Sequence, residues 1–118
     1  KIAELIDDVE TFAPKLKLIE PVGYLDMLSL AKNAKRILTD SGGLQKEAYW
    51  LETPCVTMRK ETEWVETVDA GWNTLVGADR EKILAVVKES KKPDEVPHFY
   101  GGGHAAEKII KILANYEA

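Results

Sequence analysis

The sequence predicts an α/β fold, a Rossmann-like parallel sheet of about four short strands with helices on both faces. Three observations carry that expectation. Short apolar runs alternate with segments of helical periodicity at intervals of about twenty residues, the pattern of successive βαβ units. The run Ile37-Leu38-Thr39 stops abruptly at Asp40-Ser41-Gly42-Gly43, and a helix-forming segment follows at once. Parallel strands joined by right-handed crossovers place their helices on both sides of the sheet.

Taken in order, Ile2, Leu5, Ile6, Val9 and Phe12 follow helical spacing and predict a helix that ends before Pro14. Leu16 to Ile19 reads as a short strand closed by Glu20-Pro21. Tyr24 to Ala34 reads as a helix burying Leu25, Leu28 and Ala31. Ile37-Leu38 is the next strand, and Leu44 to Leu51 the helix after the glycine pair. Val56 to Met58 forms a strand and Glu63 to Asp69 a short helix that Gly71 can terminate. Thr74 to Val76 is the last strand. Asp79 then caps a helix running to about Ser90. Lys91 to Pro97 is a polar loop with two prolines. Gly101-Gly102-Gly103 leads into a final helix burying Ala106, Ile109, Ile110 and Leu113. Doubly wound domains usually have about five or six strands. The shortage, together with a start at Lys1 inside a helical pattern, gives the expectation of a single α/β domain over residues 1–118 that belongs to a longer protein.

Composition narrows the function. The chain has 118 residues, 45% of them hydrophobic, enough for a core. Its net charge of −4 and interleaved lysines and glutamates speak against nucleic acid, which needs clustered cations. No apolar run is long enough to span a membrane, and no signal peptide is visible. The single Cys55 excludes an internal disulfide framework and fits a reducing cytoplasm; inside the run Cys55-Val56-Thr57-Met58 it reads as a buried small hydrophobe. Edges and apolar helix faces left open by absent strands predict homodimerisation or self-association.

In a parallel sheet the ligand lies at the carboxyl ends of the strands. That directs attention to Glu20–Tyr24, Asp40–Gly43, Arg59–Glu63 and Gly77–Asp79. At the second of these, Ser41, Gly42 and Gly43 open a helix whose free N–H groups can hold a phosphate. Glu47, about one turn along, can accept hydrogen bonds from an attached ribose. The same pattern also fits a tight strand-to-helix turn with Ser41 as an unliganded cap. No Walker-type Gly-Lys-Ser/Thr follows, which disfavours ATP hydrolysis. Arg59 can counter diphosphate charge or orient Glu63, or the segment can be a salt-bridged surface turn; Trp64 can be a core anchor or a lid. His98 and His104 flank a glycine run with no cysteine partner, so neither a metal pair nor a general base is expected there. No Ser/His/Asp or Cys/His arrangement is present, and no catalytic residue, metal or cofactor is assigned.

Leu18-Ile19-Glu20-Pro21 with Tyr24-Leu25, followed by Leu38-Thr39-Asp40-Ser41-Gly42-Gly43-Leu44-Gln45-Lys46-Glu47-Ala48, closely resembles the C-terminal lobe of UDP-N-acetylglucosamine 2-epimerases. The likeness continues through Pro54, Met58-Arg59, Thr62-Glu63, Ala70-Gly71, Leu75-Val76-Gly77 and Tyr100-Gly101-x-Gly103. It implies one lobe of a two-lobed, glycosyltransferase-B-like fold with a UDP-sugar in the cleft. The implied reaction interconverts UDP-N-acetylglucosamine and UDP-N-acetylmannosamine by elimination and re-addition of UDP; hydrolysing relatives release the sugar. By position, the resemblance gives Ser41, Gly42 and Gly43 the diphosphate and Glu47 the ribose. Met27 stands where many members place an aromatic near the uracil. Many members read Glu-Arg-Pro-Glu where this chain has Glu63-Trp64-Val65-Glu66, so no arginine is available at position 64 and Arg59 is not its assured replacement. Val22 offers only main chain where others carry a polar side chain. The residues that the family assigns to proton transfer lie in the N-terminal lobe and in a His-Arg-x-Glu-Asn-type segment, neither of which is in these residues. The chain alone is therefore expected not to epimerise. The nucleotide lobe of a UDP-sugar glycosyltransferase and a non-catalytic nucleotide-binding module are the alternatives.

Overall fold

The computed structural model describes residues 13–89 and 91–117. Its centre is a three-stranded parallel sheet of β1 (Ile37–Thr39), β2 (Cys55–Thr57) and β3 (Asn73–Leu75), in the order β1-β2-β3. Each strand is three residues long and rich in β-branched or apolar side chains. The central strand β2 is buried along its whole length, as expected where both sheet faces are covered. Leu38 pairs with Val56 and Val56 with Thr74, so the three carboxyl ends emerge together.

Among the described residues there are five α-helices, α1 (Tyr24–Asn33), α2 (Gly42–Trp50), α3 (Val65–Asp69), α4 (Arg80–Lys88) and α5 (Ala105–Ala114), of which α5 is exposed along its length. Ala31 of α1, Ile37, Ala48 of α2 and Cys55 form the apolar core, with Ala34, Leu44 and Leu51 packed around it. Asp79 caps α4, its Oδ1 accepting from Glu81 N–H and Lys82 N–H at 3.0 Å each. Gly71 ends α3 at φ +77°, a left-handed conformation that favours glycine. Cys55 is buried, and burial raises its thiol pKa, so it behaves as the expected small hydrophobe. No described helix is long and apolar enough to cross a membrane.

Several expectations are corrected. The helix expected from Ile2 to Phe12 lies outside the described residues. Three strands form among the described residues, and Leu16–Ile19 is in none of them. Leu16, Leu18 and Ile19 are 44–64% exposed, and the backbone bond of Leu16 N–H runs to Ala13 in a turn, not to a neighbouring strand. Apolar run length predicts a strand only if a ladder partner lies beside it. On α1, Ala31 is buried and Leu28 half-buried, but Leu25 is 78% exposed. On α5, Ile109, Ile110 and Leu113 are 55–67% exposed and Ala106 is exposed as well. Periodicity identified the apolar stripe of α5 but not what it covers.

The far side of the molecule is held by a strap. Trp72, buried between sheet and loop, donates from Nε1 to the Glu95 carbonyl at 2.8 Å, and Lys92 lies over its ring. Tyr49 donates its hydroxyl to the Pro97 carbonyl. These contacts fix residues 91–100 against α2 and deliver Tyr100 to the same side of α2 as Trp64.

Candidate functional site

The site forms where β1 passes into α2. Thr39 Oγ1 accepts the Ser41 N–H at 3.0 Å, and Ser41, in an extended conformation, caps α2 by accepting the Leu44 N–H at 3.5 Å. The helix starts at Gly42, two residues earlier than periodicity indicated, because apolar spacing is silent about glycines. Ser41 and Gly43 are exposed, and nothing lies within 4 Å of where a Gly43 Cβ would stand. The first turn of α2 is therefore open to a ligand, with the positive end of the helix dipole behind it.

The loop after β2 closes one side. A Cβ on Gly42 would run into the Glu63 carboxylate and lie 3.7 Å from Arg59 Nη1, so any larger residue there requires Glu63 to move. Arg59 Nη1 donates to Glu63 Oε2 at 3.2 Å, with 37% and 51% of the two side chains exposed. The guanidinium thus orients Glu63 and stands beside the open turn. Arg59 therefore orients Glu63 within a salt-bridged surface turn. A neighbouring cleft of about 570 Å³ runs along the carboxyl ends of β2 and β3, lined by Arg59, Lys60, Val76, Gly77 and Lys82 among others. A larger cavity, about 840 Å³, opens at the opposite end of the sheet between Lys35, Arg36, Pro54 and Lys92. In a parallel sheet the carboxyl ends are the ligand side, so the smaller cleft is the relevant one.

On the other flank, Glu47 projects from α2 towards α1. Its carboxylate raises the Tyr24 pKa, chiefly by hydrogen bonding to the phenol and then, after burial, through its charge. Met27 sits one turn beyond Tyr24 on α1, 40% exposed. The same helix therefore carries both Met27 and the tyrosine whose pKa Glu47 raises.

Trp64 is an anchor. Its Nε1 donates to the Gly42 carbonyl at 2.9 Å, and its ring stacks edge-on to Tyr100 at 6.0 Å. Lys46 places its ammonium 4.8–4.9 Å from the ring centres of Trp50, Trp64 and Tyr100. Tyr100 donates to Glu66 at 2.6 Å, which holds the Glu66 carboxyl below its usual pKa. Burial, then the Glu66 bond and charge, push the Tyr100 phenol well above its ordinary value.

Residues not singled out from the sequence lie beneath the turn. Gln45, 1% exposed, accepts from Thr62 Oγ1 at 2.6 Å and Asn73 Nδ2 at 3.0 Å, and donates from Nε2 to the Ser41 carbonyl at 3.2 Å. Asn73 accepts from Thr57 Oγ1 at 2.6 Å. A signal for Gln45 existed, since it shares a helix face with Ala48 and Tyr49 at i+3 and i+4. No cluster of three or more His, Cys, Asp or Glu among the described residues is arranged to hold a metal. His104 pairs with Glu107 on the surface at 3.5 Å.

A UDP-N-acetylglucosamine 2-epimerase family profile matches residues 1–114. A UDP-N-acetylglucosamine 2-epimerase homolog of Methanococcus maripaludis is 55% identical over 101 residues, covering 85% of this chain and 28% of the relative. The UDP-2,3-diacetamido-2,3-dideoxy-D-glucuronate 2-epimerase of Pseudomonas aeruginosa is 47% identical over 102 residues, with 85% and 29% covered. The crystal structure of Methanocaldococcus jannaschii UDP-GlcNAc 2-epimerase in complex with UDP-GlcNAc and UDP superimposes with a TM-score of 0.79 at 46% identity, over 96% of this chain and 31% of that one. The chain thus spans under a third of the length of each of these relatives. With a family match across nearly all its residues, this chain belongs to the UDP-N-acetylglucosamine 2-epimerase family.

Proposed function

We propose that this chain is the UDP-binding part of an enzyme that interconverts UDP-N-acetylglucosamine and UDP-N-acetylmannosamine by eliminating UDP and adding it back. The observation that carries the proposal is the open N-terminus of α2, with Ser41, Gly42 and Gly43 at its mouth and Glu47 one turn along. The Ser41 hydroxyl and the Gly42 and Gly43 N–H groups bind the diphosphate, Arg59 supplies a cation beside it, and Glu47 accepts from the ribose hydroxyls. Met27 packs on the uracil. As UDP leaves, negative charge grows on its β-phosphate, and preoriented donors at a helix N-terminus stabilise that charge without reorganisation.

The chain then makes up most of a C-terminal lobe as a single α/β domain. The proton-transferring residues belong to the other two-thirds of the length seen in the relatives. The isolated chain binds UDP but does not turn over. The named substrates of the relatives differ in the sugar and share UDP, which is the part these residues address. The exposed apolar stripe of α5 packs on that other lobe or on a second copy. A free, buried Cys55 is compatible with the cytoplasm.

Titrating UDP into the labelled chain and following amide shifts tests the proposal, with Ser41→Ala and Glu47→Ala as controls. Shifts centred on residues 40–47 and weakened in both variants are expected. Absence of shifts at millimolar UDP, or shifts elsewhere, overturns it.

A further inference from the structure

We infer that Gln45, Thr62 and Trp64 are positioning residues that together aim the two glycine N–H groups of the anion-binding turn. The inference rests on the reading of UDP at that turn. In a trans peptide the C=O and the following N–H point in opposite directions within one rigid plane, and none of the described peptide bonds is cis. Pinning a carbonyl from below therefore points the next N–H outwards.

Two successive planes are pinned in this way. Gln45 Nε2 donates to the Ser41 carbonyl at 3.2 Å, which directs the Gly42 N–H. Trp64 Nε1 donates to the Gly42 carbonyl at 2.9 Å, which directs the Gly43 N–H. An amide whose carbonyl accepts a hydrogen bond is also a stronger donor, because the chain of bonds is cooperatively polarised.

Thr62 joins the two pins. Its Oγ1 accepts the Trp64 backbone N–H at 3.1 Å and donates to Gln45 Oε1 at 2.6 Å. The direction of the chain is fixed by the donor inventory. With the Thr62 hydroxyl occupied as an acceptor, its proton goes to Gln45 Oε1, which also takes the Asn73 Nδ2 proton. The Gln45 amide is left with Nε2 facing Ser41. Among the described residues, every buried side-chain nitrogen and oxygen has a partner, so reorienting the Gln45 amide would leave a buried polar atom unpaired. The loop after β2, which brings Arg59, is thereby rigidly joined to the α2 mouth.

Thr62 is half-buried, which makes it the residue to vary. Thr62→Val keeps the shape and removes the hydroxyl; Thr62→Ser keeps the hydroxyl. Misaligning the two donors is expected to weaken UDP about ten-fold in Thr62→Val, equivalent to about 1.4 kcal/mol. Thr62→Ser restores the wild-type affinity. Uridine, which lacks phosphate, should bind all three alike, because Glu47 is untouched. Without ligand, the Gly42 and Gly43 amide signals should move in Thr62→Val and Gln45→Met and stay in place in Thr62→Ser. Unmoved glycine amides, wild-type UDP affinity in Thr62→Val, or equal losses for UDP and uridine would overturn the inference. A wild-type chain blind to UDP sinks the function instead, while the ligand-free amides still decide this point.

Discussion

Glu63 accepts a hydrogen bond from Arg59 at 3.2 Å directly over Gly42, so a carboxylate and a guanidinium share the edge of the open α2 N-terminus. The pair is half-exposed, and such pairs contribute little to folding. With UDP bound as proposed, its effect falls on the ligand: Glu63 would repel an incoming diphosphate and compete with it for Arg59. Glu63→Gln is expected to tighten UDP about two- to five-fold, and Arg59→Gln to weaken it by about the same factor, the scale of one solvent-screened charge. Both should leave the melting temperature nearly unchanged. Calorimetric titration of the two variants at low and moderate salt checks the sign and the screening together.

The two glycines should respond differently to alanine. At Gly42 the new methyl meets the Glu63 carboxylate, so Gly42→Ala is expected to swing Glu63 aside and break its bond to Arg59, at little gain in stability from the better helix former. At Gly43 there is open space, and Gly43→Ala should fold as well as the wild type or slightly better, since alanine is the better helix former by about 0.5–1 kcal/mol. Gly43→Ala should nevertheless lose most UDP affinity, because the proposed site brings the diphosphate through that open space. Thermal melts paired with UDP titrations separate the two cases; a Gly43→Ala chain that binds UDP normally would place the phosphates elsewhere.

These outcomes depend on contacts of very different legibility. The strand-to-helix turn at Asp40–Gly43 was visible because an apolar run, a capping serine and two glycines are local in sequence. The parallel sheet followed from the alternation of periods. Residues 16–19 failed as a strand because pairing is a tertiary property, and Leu16 and Ile19 remain exposed without a ladder partner. Ile109 and Leu113 gave the right helix and the wrong burial for the same reason. The supports of the site were least visible. Gln45, Thr62 and Asn73 are up to 28 residues apart and meet only once the sheet has formed. Trp64 was left between anchor and lid because its partner is a backbone carbonyl, which has no sequence signature.

Glu47, the proposed ribose acceptor, also raises the pKa of Tyr24 on α1. Glu47→Gln should weaken UDP and uridine alike, by about ten-fold or more, since hydrogen bonds to a charged acceptor are worth about 1.5–3 kcal/mol. Inorganic pyrophosphate should be unaffected. The same substitution removes the carboxylate that raises the Tyr24 pKa, which should fall towards its ordinary 10.0. Alkaline difference absorbance of the phenol, compared between wild type and variant, reads this second effect without any ligand. An unmoved Tyr24 titration would mean that Glu47 does not face α1 in solution.

The Tyr100–Glu66 bond predicts how stability depends on pH. Glu66 is held below its ordinary 4.5, chiefly by the Tyr100 hydroxyl. Its contribution is therefore present above about pH 4.5 and is lost as the pH falls through the lowered folded value. Tyr24, Tyr49 and Tyr100 are all raised above 10.0. An unfolded chain releases those protons first, so stability is retained up to about pH 10 and falls beyond it. Urea midpoints should form a plateau between these limits. In Tyr100→Phe the ring contacts with Tyr49, Trp50 and Trp64 remain possible, but the hydroxyl that lowers the Glu66 pKa is gone. The acid limb should then become shallower, while the alkaline limb loses only one of its three phenols. An acid limb identical in wild type and Tyr100→Phe would show that the bond does not govern Glu66.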